Sequence, residues 1–191
     1  MTKGFTATVL ATLVAITPAA SQRPAESQTS AFKRMPDGKD WTTSNLAIVT
    51  PASYCYGDVE QNCQRYGRLY TWGSAQRACE SLRDRWRLPT NAEWQQLAKA
   101  YGGVRGDSED DGHGAFRALV SGGSAGFNVV FGGSRQGDGE YARLDGHGLY
   151  WTATESDAGH AWVYNFGQQR FINRHSGVEK TWALSVRCVR D

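Results

Sequence analysis

The chain has 191 residues, enough for one domain with a substantial core, and 40% of them are hydrophobic. Its formal charge at pH 7 is +2, from 21 Lys and Arg against 19 Asp and Glu. With no clustered basic run, the electrostatic footprint needed for nucleic-acid phosphates is missing, and nucleic acid is excluded as an expected partner.

The amino end, MTKGFTATVLATLVAITPAAS, carries Lys3, an apolar run over residues 5–20, and small residues at Ala19 and Ser21. That is the pattern of a secretory signal over residues 1–21, with cleavage expected before Gln22. The run is too short and too rich in Thr for a membrane span. No cysteine stands near the cleavage point to take a lipid, so no membrane contact is expected once the signal is removed. Removal takes Lys3 and no acid, leaving a mature charge of +1. Residues 22–36 open with the polar, aperiodic QRPAESQTSA and read as a flexible tether, which leaves 37–191 as the folded domain.

Asp37-Gly38 is a tight-turn signal between two short strands, after which Trp41 and Leu46 are expected to dock on the core. Residues 54–63 read as a loop leading to Tyr66-Gly67. The first clear helix follows: Trp72, Ala75, Cys79 and Leu82 fall at i, i+3, i+7 and i+10, one apolar stripe. A second helix starts after Pro89, where Thr90 and Glu93 stand in the T-x-x-E arrangement of a capping box. Its stripe is Trp94, Leu97, Ala98 and Tyr101, and Gly102-Gly103 ends it. Trp72 and Trp94 read as core aromatics rather than ligand platforms.

The next segment, GVRGDSEDDGHG, places Asp107, Glu109, Asp111 and Gly112 like the start of a calcium loop. The twelfth position from Asp107 is Ala118, where a bidentate Glu is needed. The segment therefore reads as a solvated acidic loop, with only a weak calcium candidate in Asp107, Glu109 and Asp111. Residues 115–120 suit one short helical turn. Phe127, Val129 and Phe131 alternate as a strand, Gly137-Asp138-Gly139 is hairpin-like, and residues 149–155 form the next strand. Trp162, Tyr164 and Phe166 alternate with Ala161, Val163 and Asn165, and Gly167 turns the chain into a run over 170–174. Leu184, Val186 and Cys188 share a face of the last strand. Helices early and an antiparallel sheet late make an α+β pattern.

Cys55, Cys63, Cys79 and Cys188 are an even set behind a secretory signal, which favours disulfides over zinc. No C-x-x-C occurs, and three connectivities are open. The four histidines show no H-x-H or H-E-x-x-H spacing, and His113 and His147 stand in Gly-His-Gly, as at turn tips. No G-x-S-x-G nucleophile motif is present.

Several separated motifs then converge. GRLYTWGSAQRAC, RLPTNAEW, the earlier DGKDWTTSNL, the later YWTATES and the closing SVRCVRD, in that order, resemble the Fibrobacter succinogenes major paralogous domain over about residues 37–191. More distantly they resemble the formylglycine-generating-enzyme-like branch of the C-type-lectin-like fold. The resemblance implies two helices packed on a small twisted antiparallel sheet with long loops, and an extracytoplasmic setting in the periplasm or at the cell surface. It also implies a pairing: Cys79–Cys188 tying the first helix to the last strand, with Cys55–Cys63 as a local staple.

No reaction comes with the resemblance. Formylglycine-generating enzymes use two reactive cysteines late in the fold, and only Cys188 lies in that region here. The related sulfoxide synthases use a histidine cluster that has no counterpart, and the E-P-N, Q-P-D and W-N-D signatures of calcium-dependent lectins are absent. The expectation is therefore a non-catalytic secreted or surface domain that recognises a glycan or a protein. A formylglycine-type oxidoreductase and a hypervariable display domain are the alternatives. The expected recognition face is Trp162, Tyr164, Asn165, Arg170, Asn173 and Arg174, with Tyr141 and Arg143 nearby, since aromatic rings stack and Arg and Asn orient hydrogen bonds. Alternation alone leaves open which face of residues 161–166 is wet.

Overall fold

A computed structural model describes residues 1, 2, 4 and 31–191. The expected signal, apart from Met1, Thr2 and Gly4, lies outside the described residues, as do residues 22–30 of the expected tether. Among the described residues the elements run β1 (Phe32–Arg34), β2 (Asp40–Thr42), β3 (Ser53–Tyr54), α1 (Glu60–Tyr66), β4 (Leu69–Thr71), α2 (Trp72–Glu80), α3 (Asn91–Lys99), α4 (His113–Leu119) and β5 (Ser134–Arg135). They continue through β6 (Tyr141–Ala142), β7 (His147–Glu155), β8 (His160–Gly167), β9 (Ile172–Glu179), β10 (Ala183–Leu184) and β11 (Val189–Arg190). None of the helices is long and apolar enough to cross a membrane.

The strands make three sheets, ordered β1-β2-β11, β3-β4-β10-β5-β6 and β7-β8-β9, each with antiparallel pairing. The mixed α+β class is as expected, but the ordered domain begins before Asp37. Phe32 pairs with Thr42 across the Asp37-Gly38 turn, and Met35 is buried, so residues 32–35 are sheet and core rather than tether.

The last residues stitch the sheets together. β10 joins the five-stranded sheet, the Ser185 N–H donates to the Leu149 carbonyl at 3.0 Å, and the Thr42 N–H donates to the Cys188 carbonyl at 3.0 Å before β11 pairs with β2. The single final strand read from the sequence is thus two short strands joined by extended chain. Leu184, Val186 and Cys188 do share one core, and the disulfides are Cys79–Cys188 and Cys55–Cys63, as the resemblance implied.

Two cores lie on opposite sides of the β7–β9 sheet. One packs Trp94 and Leu97 of α3, Phe116 and Leu119 of α4, Phe127 and Val129 against Tyr150, Tyr164 and Phe166. The other packs Ala75, Ala78 and Cys79 of α2 and the terminal segment against Leu149, Trp151, Ala161 and Val163. Both sides of β8 are therefore dry. Trp94 is the hub of the first core, stacked on Tyr164 at 5.3 Å between ring centroids and edge-on to Trp41 at 5.1 Å and Phe127 at 5.7 Å.

The start of α3 forms as the local sequence dictates. The Glu93 N–H donates to Thr90 Oγ1 at 3.2 Å and the Thr90 N–H donates to Glu93 Oε2 at 2.8 Å, closing the capping box. Three other segments differ from expectation. Residues 54–63 are not all loop, because α1 begins at Glu60 inside the Cys55–Cys63 bridge. The turn at 115–120 is the longer α4. Residues 127–131 hold only an isolated bridge from Val129 to Val120; their alternation reflects packing of Phe127 and Val129 on α4 rather than a ladder.

Candidate functional site

The six residues of the expected recognition face do not share a surface. Tyr164 is fully buried, and its hydroxyl donates to the Asn91 carbonyl at 3.1 Å. Asn165 is only 9% exposed and bridges two strands: its Oδ1 lies 2.9 Å from His147 Nδ1, and its Nδ2 lies 3.4 Å from His175 Nε2. Cross-strand register puts Tyr164 beside Arg174 on one face and Asn165 beside Asn173 on the other. The physical reason is the second core, which claims the face that alternation left undecided. Half-buried Trp162 does meet Arg174, whose guanidinium lies 5.6 Å from the ring centroid, and Arg174 pairs with Asp107 at 3.2 Å.

That ion pair also bears on the calcium candidate. Asp107 is engaged by Arg174 and by Gln95 Nε2, while Asp111 accepts from the Gly106 N–H at 3.1 Å and pairs with Arg105 at 3.4 Å. Glu109 does not converge with them. Among the described residues the one set of three potential ligand side chains within 4.8 Å is Cys55, Glu60 and Cys63, whose two sulfurs are spent on the disulfide. Asp107 and Asp111 are engaged by other side chains and the Gly106 N–H and do not converge with Glu109, so the three do not fit a hard cation that needs six or more oxygens.

Two of the four histidines make hydrogen bonds that tie elements together, His113 to Arg170 and His147 to Asn165. His113 opens α4, and its Nδ1 donates to the Arg170 carbonyl at 2.7 Å, tying the β8–β9 turn to that helix. His147 is the first residue of β7 rather than a turn tip. His175 is held below the ordinary imidazole pKa by desolvation first, then by the positive fields of Arg143 and His147.

Arg170 leads to a site that the sequence did not reveal. It lines a cleft of about 670 Å³ between the end of α1, the end of α4, the chain at 129–131, Asp145 and the β8–β9 turn. Phe116 and Phe131 stack at 6.2 Å with 28° between their planes, and Val120 and Val129 continue this apolar floor. Paired backbone bonds hold it: the Ser121 N–H donates to the Val129 carbonyl and the Val129 N–H to the Leu119 carbonyl, both at 2.9 Å. On the rim the Tyr66 hydroxyl donates to Asp145 Oδ1 at 2.6 Å, and burial with that carboxylate pushes the phenol's pKa up. The Arg65 guanidinium lies 4.9 Å from the Tyr66 ring centroid.

A second compartment of about 390 Å³ adjoins the first through Arg65, Tyr66 and Val130, and is walled by Ser44, Asn45, Gln64 and Asn128 among others. Gly67 allows this wall to close: at φ +77° it ends α1, and a Cβ there would stand 2.6 Å from that of Asn45. Asp145 and Arg170 at the rim hold left-handed backbone at φ 56° and 65°, a conformation that non-glycine residues adopt at some cost. The cleft residues come from five separated segments, so no motif announces them. Its size and composition, an apolar floor with a few polar groups at the mouth, fall in the range of small-molecule pockets.

No curated protein matches the chain significantly. The family model described as the Fibrobacter succinogenes major domain matches residues 27–190, a span that takes in β1, both disulfides and every wall of the cleft, and the chain belongs to that family.

Proposed function

We propose that this chain is a secreted or cell-surface recognition domain, non-catalytic, that takes a glycan or a protein segment in the cleft between α1, α4 and the β8–β9 turn. The observation that carries the reading is the cleft itself: preformed, floored by stacked Phe116 and Phe131, and rimmed by exposed Arg65 and Arg170. Export is supported by the two disulfides, which persist in oxidising compartments, and by the signal-like amino end. The tie from an early helix to the last strand, with the RLPTNAEW and SVRCVRD motifs, supports placing the domain in the C-type-lectin-like lineage. Formylglycine-type chemistry needs two reactive thiols, and all four cysteines here are bonded to one another in pairs.

The test is a glycan and envelope-protein binding screen with the mature chain, with and without chelator, repeated on Ser121→Trp, which places a large side chain at the cleft mouth. A ligand bound by the wild type and lost by the variant supports the cleft. A ligand bound equally by both would move the site elsewhere.

A further inference from the structure

Seven arginines of this chain are committed to acceptors. Arg34, Arg87, Arg105, Arg117, Arg174 and Arg190 each face a carboxylate within 4.0 Å, and Arg187 is buried on carbonyls. Among the described residues neither the Arg65 nor the Arg170 guanidinium has a carboxylate or hydrogen-bond partner, yet both line the same cleft. Among the described residues Arg77, Arg83, Arg85 and Arg143 also lack such a partner but do not line the cleft; Arg65 and Arg170 are set apart by lining it together. The one carboxylate in that lining, Asp145, gives its Oδ1 to the Tyr66 hydroxyl instead. The cleft thus joins an apolar floor to two uncommitted cations, a combination that favours an anion with an apolar body.

The second compartment narrows the choice. It meets the first at Arg65 and offers the Ser44 hydroxyl and Gln64 amide, neither hydrogen-bonded within the chain among the described residues. A lone small acid would leave this polar extension empty. A sugar would set its hydroxyls against Val120 and Val129, which offer no hydrogen bonds. An extended peptide satisfies all three regions. Resting on the cleft assignment above, we propose that the ligand is the carboxyl terminus of a protein chain whose last residue is apolar. That side chain lies on Phe116 and Phe131, the terminal carboxylate meets Arg65 with Arg170 as the second cation, and the preceding backbone runs into the compartment of Ser44 and Gln64.

The test uses fluorescence anisotropy on the mature chain with three labelled pentapeptides of one sequence: one ending in Phe as the free acid, its amide, and one ending in Ser as the free acid. The free acid ending in Phe should bind at least tenfold more tightly than either other peptide. Arg65→Ala should remove about tenfold of that preference while leaving the amide unchanged, and Arg170→Ala should weaken the acid by a smaller factor. Both residues are exposed, so these variants fold, which circular dichroism verifies. Equal binding of acid and amide overturns the carboxylate assignment. So does a glycan hit that Ser121→Trp abolishes in the absence of peptide binding; in that case the cleft survives and only the ligand class falls. A peptide bound equally by wild type and Ser121→Trp overturns the cleft and the ligand together.

Discussion

Arg187 shows how one side chain can fix distant segments. It is fully buried with no carboxylate beside it, and burial pulls its pKa down from the usual guanidinium value. Its donors are nonetheless occupied: Nε donates to Asn45 Oδ1 at 2.8 Å, Nη1 to the Thr42 and Phe127 carbonyls at 3.0 and 2.6 Å, and Nη2 to the Asn128 carbonyl at 2.7 Å. Replacing it by Met leaves those acceptors bare, at a cost of about 3–5 kcal/mol; Lys, with fewer donors and no planar fork, should fall between. Urea denaturation of both variants checks this, and an unchanged midpoint for Arg187→Met would remove the network from the account of stability. Glu93 gives a pH-dependent counterpart. Burial alone would raise its pKa, but hydrogen bonds from Arg87 and from the Thr90 backbone outweigh it and hold the carboxyl at about 2, against an ordinary 4.5. A depressed carboxylate stabilises the fold above the unfolded pKa and loses that contribution as pH falls from about 4.5 towards 2. Because Arg87 is 39% exposed the contribution is discounted to roughly 2 kcal/mol. Melts from pH 6 to pH 2 should show that decline flattened in Glu93→Gln. A parallel decline in both would place the acid sensitivity elsewhere. The Thr90–Glu93 cap was legible in the sequence because its partners are three residues apart. The role of Arg187 was not, because its acceptors lie about 60 and 140 residues away.

At the scale of elements, β8 carries the contrast between pattern and environment. Alternation located the strand, yet it could not report that Tyr164 and Phe166 enter one core while Ala161 and Val163 enter the other. That depends on α2 and the terminal segment covering the second face, and both lie far off in sequence. Residues 127–131 were read as a strand for a related reason: Phe127 and Val129 alternate, but they are positioned by Trp94 and α4 rather than by a ladder. The consequence can be measured with two truncations. Phe166→Ala removes a ring that meets Trp94, Phe116 and Tyr150 at centroid distances of 6.3, 6.3 and 5.8 Å, and should cost about 3–5 kcal/mol. Trp162→Ala, four residues earlier on the same strand but only partly buried, should cost about 1 kcal/mol, mainly from lost packing with Arg174. Chemical denaturation distinguishes them, and equal losses would mean that Trp162 is as deeply set in the core as its neighbours.

The whole molecule depends on its final residues, which touch all three sheets while Cys188 closes on α2. Family motifs made this closure legible in outline, because the cysteine-bearing helix and SVRCVRD stand at opposite ends of the resemblance. The cleft stayed hidden, since its walls meet only after closure has brought α1, α4 and the β8–β9 turn together. The two bridges therefore have unequal tasks. Cys79–Cys188 spans 109 residues and both sulfur-bearing residues are fully buried, whereas Cys55–Cys63 spans 8 and staples one loop to α1. On the chain-entropy account the long closure contributes about 4–5 kcal/mol and the short one about 2–3. The double variant Cys79→Ala/Cys188→Ala should accordingly lose the larger share, and lose it cooperatively, because releasing the terminal segment loosens both cores at once. Cys55→Ala/Cys63→Ala should melt lower than wild type but keep native near-ultraviolet circular dichroism. Its effect on the cleft should be local, felt at Arg65 and Tyr66 where α1 ends. Thermal and urea unfolding of the two double variants settle the order, and a larger loss from the short bridge would show that the α1 loop, not the terminal closure, holds this domain together.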